Sequence, residues 1–381
     1  MGMFSSLAGT PSLLGLDIGS QSIKLVQLEQ TREGLVVRRA GSCPTPREAL
    51  RNGAVVDTVA VAEAISSLLE ALNVDAVTAV TSVSGPSVVV RQVQLPAMSE
   101  KVLWRSIQWE ARNYVSFPVE DSIVEFQIIS NGHAKDPGKM DVMIVACPRE
   151  MVDSRVEALE LAGLDPTAVE IEPFATMRSL VEWSGDAELG HQTVALVGIG
   201  AAYADISIIK DRSFVLSRVI PIAGNSFTEA IASALSLTPE EANTLKENGL
   251  QLVTSEEERA TLDPMAQQAS RAVEPLLEEL TREITRSLAY YDYQQQQPEA
   301  REEPGSVHRI ILSGGSSKLT HLDRYFNAQI NVPVITPDVF SQGKVLAPAS
   351  SKSYLEEHCR ELVVSTGLAL RELLLAKPTR H

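Results

Sequence analysis

Apolar positions in this chain follow two periods, and the changes from one to the other divide it into elements. Residues 13–39 run or alternate apolar in three stretches broken by turns, which predicts a β-meander. Val61, Ala64, Ile65, Leu68 and Leu72 then recur at helical spacing, with Glu63 and Glu70 on the other side. Asp57 stands where an N-cap belongs, so 58–72 is expected to be a packing helix. Residues 77–83 and 87–95 return to strand patterning. Beyond Leu95-Pro96 the pattern gives a helix from Ser99 carrying Leu103, Ile107, Ala111 and Tyr114. Strands at 122–129 and 140–147 and a second helix at about 149–162 follow. The turn-rich 130–138 joins the two strands. This helix–strand–strand–helix unit, about 96–166, reads as an insertion into the first of two lobes.

The second half opens as the first does, with strand–turn–strand at 193–221. Helices are expected at about 225–236, 238–248 and 264–293. The last carries Val273, Leu276, Leu280, Ile284, Leu288 and Tyr291 on one face and Glu278 with Arg282 on the wet side. Polar 294–306 reads as a loop, 319–330 as a helix, 332–336 as a short strand, 337–354 as irregular and 357–376 as a closing helix. The expected division is 1–192 for the first lobe and 193–340 for the second, whose helical part is about 225–299. Residues 355–381 return to the first lobe.

Two glycine loops look like copies of one part. Residues 12–26 and 193–209 overlay with Asp17 on Gly198 and Gly19 on Gly200, a constant offset of 181. A third turn, Ser313-Gly314-Gly315-Ser316-Ser317, follows the apolar run 309–312. Glycine lets backbone N–H groups approach an anion that a Cβ would keep away. Paired loops of this kind suit phosphates gripped from two sides. Within the first loop, Asp17 is placed to hold the water shell of a magnesium ion. The N–H groups of Gly19, Ser20, Gln21 and Ser22 can wrap a terminal phosphate, and Lys24 can meet it as a point charge. An ordinary hairpin with a solvent-facing lysine is the plainer reading of the same residues. The second, similar loop favours the phosphate site.

Bulk properties narrow the classes. The chain has 381 residues, 44% hydrophobic and 22% charged, which suits two ordinary globular domains. A net charge of −16 supplies no overall excess of cations for nucleic acid. Three dispersed cysteines, Cys43, Cys147 and Cys359, form no CxxC pair, so neither zinc nor a disulfide framework is indicated. The simplest location is the cytoplasm, with membrane contact through a partner. Met1–Ser6 fits the short N-myristoylation pattern, which is loose enough for a chance match.

The paired loops resemble the actin, Hsp70 and sugar-kinase superfold (ASKHA). Within it the closer resemblance is to FtsA and, above all, the PilM family of type IV pilus assembly. The stretches that carry it are Leu14–Val26, Leu95-Pro96-Ala97-Met98, Gln108–Val115, Glu240-Glu241-Ala242 with Leu245-Lys246, Leu312–Ser316 and Gly367–Arg371. The resemblance implies two duplicated RNase-H-like lobes with a small α/β insertion in the first, and ATP with Mg2+ between them. It assigns Asp17, Gly19, Ser20, Ser22 and Lys24 to the first phosphate loop and Gly200 and Ala201 to the second. Gly314, Gly315 and Ser316 fall beside the adenosine, and Lys246 falls near ribose and base. Glu172, before Pro173, would orient the attacking water; a helix-start carboxylate favoured by the dipole is an equal reading.

Two departures stand out. Gly198 occupies the position of a second magnesium-side carboxylate, and Asp205, inside a strand, is a doubtful substitute. Asn243 stands where relatives often place a ribose-binding glutamate. Binding with poor or absent hydrolysis is therefore expected. The resemblance also implies docking of a PilN-like tail in a groove between the insertion and the first lobe, with Trp104, Trp109, Tyr114 and Phe117 as candidates. It further implies PilO, pilus motor ATPases and homo-oligomers as more distant partners. The competing readings are an active ATPase or kinase of the same superfold and an FtsA-like division protein. The latter family ends in a linker and an amphipathic membrane helix, whereas 373–381 follow the closing helix almost directly.

Overall fold

A computed structural model describes residues 13–32, 34–131, 138–295, 306–341 and 344–375. The myristoylation pattern, the middle of the turn at 130–138 and most of the loop at 294–306 lie outside these residues.

Two larger sheets share one plan. In the first, Leu13–Ile18 pairs antiparallel with Ser22–Gln30, which pairs antiparallel with Leu35–Pro44. On its other side Leu13–Ile18 runs parallel to Thr78–Val83, and that strand runs parallel to Asp165–Ile171. The second sheet repeats this with Thr193–Ile199 at its centre. Ala204–Lys210 and Ser213–Ile220 follow antiparallel on one side, and Arg309–Ser313 and Val334–Ile335 follow parallel on the other. Every residue of Thr193–Ile199 is buried, as a central strand covered on both faces requires. The register preserves the offset of the sequence repeat. Gly15 faces Val26 in the first hairpin, and Leu196 faces Ser207 in the second.

The helices match the apolar spacing. Thr58–Ala71 starts where Asp57 Oδ1 accepts the Ala60 N–H at 2.9 Å. Pro239–Asn248 opens with Thr238 and Glu241 capping each other's backbone. Pro264–Gln295 buries Val273, Leu277, Leu280, Ile284, Leu288 and Tyr291 against the second sheet.

Four details differ from the sequence reading. The small sheet includes Val89–Pro96, which pairs with Lys139–Pro148, itself paired with Ser122–Asn131. Helix Arg149–Leu161 packs on Thr58–Ala71, and its Ala158 and Leu159 join the core of the first half rather than that of the small sheet. The closing helix is broken into Lys352–His358 and Val363–Leu375. At the break the Arg360 carbonyl accepts the Gly314 N–H at 2.9 Å, tying the chain to the third glycine turn. Val363–Leu375 lies against the central strand of the first sheet. The stretch read as irregular contributes Val345–Leu346, which pairs parallel with Leu35 and Val36.

Candidate functional site

The two central hairpins point their turns into one cleft of about 780 Å³. Asp17, Gly19, Ser20, Gln21, Ser22, Lys24, Glu172, Gly200, Ala201, Asn243, Lys246, Gly314, Gly315 and Ser316 all line it. Residues far apart in sequence meet there because each central strand ends at the same edge of its sheet.

In the first hairpin Asp17 and Lys24 are direct cross-strand partners. Side chains opposite each other across a ladder share one face, and Lys24 Nζ donates to Asp17 Oδ2 at 3.1 Å. It also reaches the Ser22 carbonyl at 3.3 Å. Burial works against the lysine's charge, but Asp17 and, more weakly, Glu172 and Glu361 hold its pKa above the ordinary value. The turn closes through Gly19 N–H to the Ser22 carbonyl at 3.2 Å, and Thr45 Oγ1 braces it on the Gly19 carbonyl at 2.7 Å. The N–H groups of Ser20 and Gln21 donate to nothing among the described residues.

The second hairpin copies this turn. Gly200 N–H donates to the Tyr203 carbonyl at 3.0 Å, and Ser316 Oγ donates to the Gly200 carbonyl at 2.8 Å. The N–H groups of Ala201 and Ala202 likewise have no partner among the described residues. Gly314 sits at φ +85°, which favours glycine, and a Cβ there would meet the Ile199 carbonyl at 2.6 Å. The third turn can therefore press against the second only as glycine.

The expectation about the missing carboxylate needs correction. Gly198 faces Asp205 in the register, as Asp17 faces Lys24. A Cβ on Gly198 would lie 2.3 Å from Asp205 Oδ1. The carboxylate of Asp205 thus occupies the space a side chain at 198 would need, and it lines the cleft. Alternation along the strand turns it inward with its cross-strand partner. Burial, with Glu172 adding, pushes the Asp205 carboxyl well above the usual range.

Glu172 begins the short helix Glu172–Met177, directly after the strand Asp165–Ile171. Burial and then the Asp17 charge raise its pKa to about 6, against a hydrogen bond from Ser84 and the cations Lys24 and Arg155. Arg155 is buried, and its Nη1 donates to the Gly53 carbonyl at 2.6 Å.

Lys246 and Asn243 are engaged within the second half. Lys246 Nζ donates to Asn243 Oδ1 at 2.8 Å, Thr228 Oγ1 at 2.9 Å and the Gly224 carbonyl at 3.3 Å, which uses all three of its donors. Asn243 Nδ2 donates to Glu247 Oε1 at 2.9 Å. Both residues brace the helices around the cleft as well as line it. Sequence reading overlooked Ser84, Arg155, Glu247 and Glu361 and undervalued Asp205. For Asp205 the signal was present, since the offset that maps Gly19 onto Gly200 maps Lys24 onto Asp205.

Taken as chemistry, the cleft offers open N–H donors from two turns, the Lys24 ammonium between them, and the carboxyl groups of Asp17, Glu172 and Asp205 around it. That set fits a phosphate chain with a hydrated divalent cation.

Of the docking candidates, Phe117 packs against the small sheet's own core and Tyr114 is exposed. Helix Glu100–Ala111 turns Leu103, Ile107 and Ala111 onto that sheet, whose other face joins the main core through Val90, Met143 and Cys147. Trp104 and Trp109 therefore stand on the side away from the first half.

Comparison with known proteins agrees with this architecture. Residues 15–373 match the family of type IV pilus assembly protein PilM. Among solved structures, the chain resembles a PilM–PilN type IV pilus biogenesis complex with a TM-score of 0.78 and 27% identity, covering 94% of this chain and 97% of that one. MreB5 of Spiroplasma citri bound to AMPPNP shares the fold at a TM-score of 0.52 and 13% identity, covering 96% and 97%. Cell division protein FtsA of Escherichia coli K12 is 23% identical over 360 residues, spanning 84% of this chain and 83% of its own. The Bacillus subtilis FtsA is 24% identical over 258 residues, 61% of this chain and 57% of its own length. The fold is the actin/Hsp70-like α/β fold of PilM, MreB and FtsA, and the chain belongs to the family of type IV pilus assembly protein PilM.

Proposed function

We propose that this chain is a cytoplasmic, actin-like scaffold of type IV pilus assembly. It binds ATP with Mg2+ between two duplicated RNase-H-like lobes and docks the cytoplasmic tail of a PilN-like inner-membrane protein. The observation that carries the nucleotide half is the mirrored pair of turns, each with two open N–H groups, around the half-buried Lys24. The docking half rests on the likeness to the PilM–PilN complex. PilO-like proteins, motor ATPases and further copies are more distant partners in this reading.

When bound, Mg2+ would supply charge neutralisation along the phosphate chain. Asp17 is suited to hold its water shell. Lys24 sets a positive charge beside the phosphates, and Ser20, Gln21, Ala201 and Ala202 offer backbone donors from both sides. Gly314, Gly315 and Ser316 would flank the adenosine, and Asn243 would offer an acceptor lone pair to the ribose. Glu172, with a pKa of about 6, can take a proton from water near neutral pH. Burial, with Glu172 adding, shifts the Asp205 carboxyl toward its protonated form, which lessens the negative charge it can bring to the metal side. Hydrolysis is therefore slow or absent.

Calorimetry with ATP and Mg2+, a pull-down with a PilN-type tail peptide and a turnover assay test the three parts. Absence of ATP binding removes the nucleotide half, and absence of peptide binding removes the docking half. Turnover within the ordinary enzyme range of about 1–1000 per second would make the chain an active ATPase instead.

A further inference from the structure

The helix Glu100–Ala111 carries a surface that the nucleotide cleft does not use. Its inner side packs on the small sheet. Around its outer side Lys101, Arg105 and Arg112 fall at i, i+4 and i+11, which places them on one ridge. Trp104 flanks the ridge on one side, 61% exposed and tilted against Phe126 with ring centroids 5.8 Å apart. Trp109, 64% exposed, flanks it on the other beside Val102, 51% exposed. Lys101 and Arg105 make no ion pair among the described residues, and Arg112 meets only Glu120. Glu110 lies on the half-buried side, and Glu125 points to the opposite face of its strand from Phe126. A cationic ridge between two exposed indoles is thus set on a chain of net charge −16.

We propose that this ridge rests on an anionic lipid surface. Indoles favour the headgroup level and basic side chains favour anionic headgroups. The shape selects lipid over an acidic protein. A convex ridge with its apolar rings parted by cations offers no groove or continuous apolar patch for a packed interface, but it suits a surface that can flow around it. The contact rests on the proposed function only for its setting. A chain held near the inner membrane by a partner's tail gains a second, weak attachment at high effective concentration. Membrane contact then runs through this helix as well as through the partner.

The test is co-sedimentation of the full chain with vesicles of phosphatidylcholine alone and of phosphatidylcholine mixed equally with phosphatidylglycerol. Binding is expected to the anionic vesicles only, weakening as salt rises, with a blue shift of tryptophan emission. Lys101→Gln with Arg105→Gln should weaken it roughly twenty-five-fold, about five-fold per cation. Trp109→Phe should reduce the blue shift, because Trp183, the third indole, is only partly exposed in the main core. All these positions are exposed, and an unchanged thermal melt checks the fold. Equal binding to neutral vesicles, or no loss in the Gln variant, overturns the proposal. So does failure to bind anionic vesicles while an acidic peptide binds and loses affinity in that variant. ATP affinity measured on the same variant separates the two readings: a chain that binds vesicles but neither ATP nor tail keeps this surface and loses the proposed function.

Discussion

The two central hairpins have one backbone and opposite chemistry. In the first, the cross-strand pair is Asp17 with Lys24; at the same register in the second it is Gly198 with Asp205. The first pair neutralises itself at 3.1 Å, and Asp17 holds the half-buried lysine's pKa above its ordinary value against the cost of burial. The second puts a lone carboxyl where the duplicate has a cation, and burial drives it toward its protonated form. A duplicated frame thus sets where side chains converge without setting their charge. The carboxylate absent from one strand has its space filled from the opposite strand, so the second turn is occupied rather than vacant.

The largest effect should come from forcing the two hairpins to agree at one position. Gly198→Asp places a Cβ 2.3 Å from Asp205 Oδ1 and a second carboxyl in a buried site. Overpacking with an uncompensated buried charge should cost about 3 kcal/mol or more, seen as a lowered unfolding midpoint with no gain in turnover. Gly198→Asp combined with Asp205→Gly moves the carboxylate to the strand that carries it in the first hairpin. Most of the lost stability should return, with a coupling of about 0.5–3 kcal/mol between the sites. A single variant as stable as the parent would show that Asp205 does not hold that space.

Next in size is the cation that only the first hairpin has. Lys24→Ala removes a charge-assisted donor worth about 1.5–3 kcal/mol, so ATP affinity by calorimetry should fall about ten- to a hundred-fold. Asp205→Asn, at the duplicate position, should change affinity much less. Equal losses in both would erase the distinction between the two turns.

How much of this was legible follows from where the information sits. The long helix, the Asp57 N-cap and the paired turns depend on residues near in sequence, and their spacing announces them. The small sheet's third strand could not be read that way: Val89–Pro96 looks like any strand, and only its pairing with Lys139–Pro148 assigns it. The break at Arg360 follows from a contact with Gly314, which no local pattern contains. The residues named from the loops and the family resemblance line the cleft, but Ser84, Ala202, Glu247 and Glu361, which line it too, carry no such signal. Their electrostatics could not be read, because burial and mutual proximity set the charges of Glu172 and Asp205. Asp205 was discounted for lying inside a strand, although strand alternation is what turns it inward.

A smaller effect concerns pH. Glu172 has a folded pKa of about 6 against 4.5 for the free group, so the folded chain binds more protons between these values. Its favourable contribution is present below about 4.5 and is lost as pH rises through about 6. Glu172→Gln should therefore stabilise the chain above that range by roughly 2 kcal/mol and flatten the fall in stability between pH 4.5 and 6. Thermal melts across pH measure it. Stability of the parent that rises through this window more steeply than that of the variant would reverse the sign and refute the assignment.

The smallest expected effect lies between the halves. Around the third glycine turn Gly314 N–H bonds to the Arg360 carbonyl, Arg360 Nη1 reaches the Ser317 carbonyl at 2.8 Å, and Lys318 pairs with Glu361 at 2.9 Å. Elsewhere Arg47 of the first half pairs with Glu240 of the second at 2.8 Å, with both side chains largely in water. Exposed pairs contribute little, because solvent and salt screen them and two long side chains must be ordered. Arg47→Ala should leave the unfolding midpoint unchanged within error. If the pair acts as a latch on the cleft, nucleotide release in stopped-flow displacement should quicken by a few-fold at low salt, and the difference should vanish at high salt as screening removes the pair from the parent too. Identical release rates at low salt would show that the exposed bridge records how the halves sit without helping to hold them there.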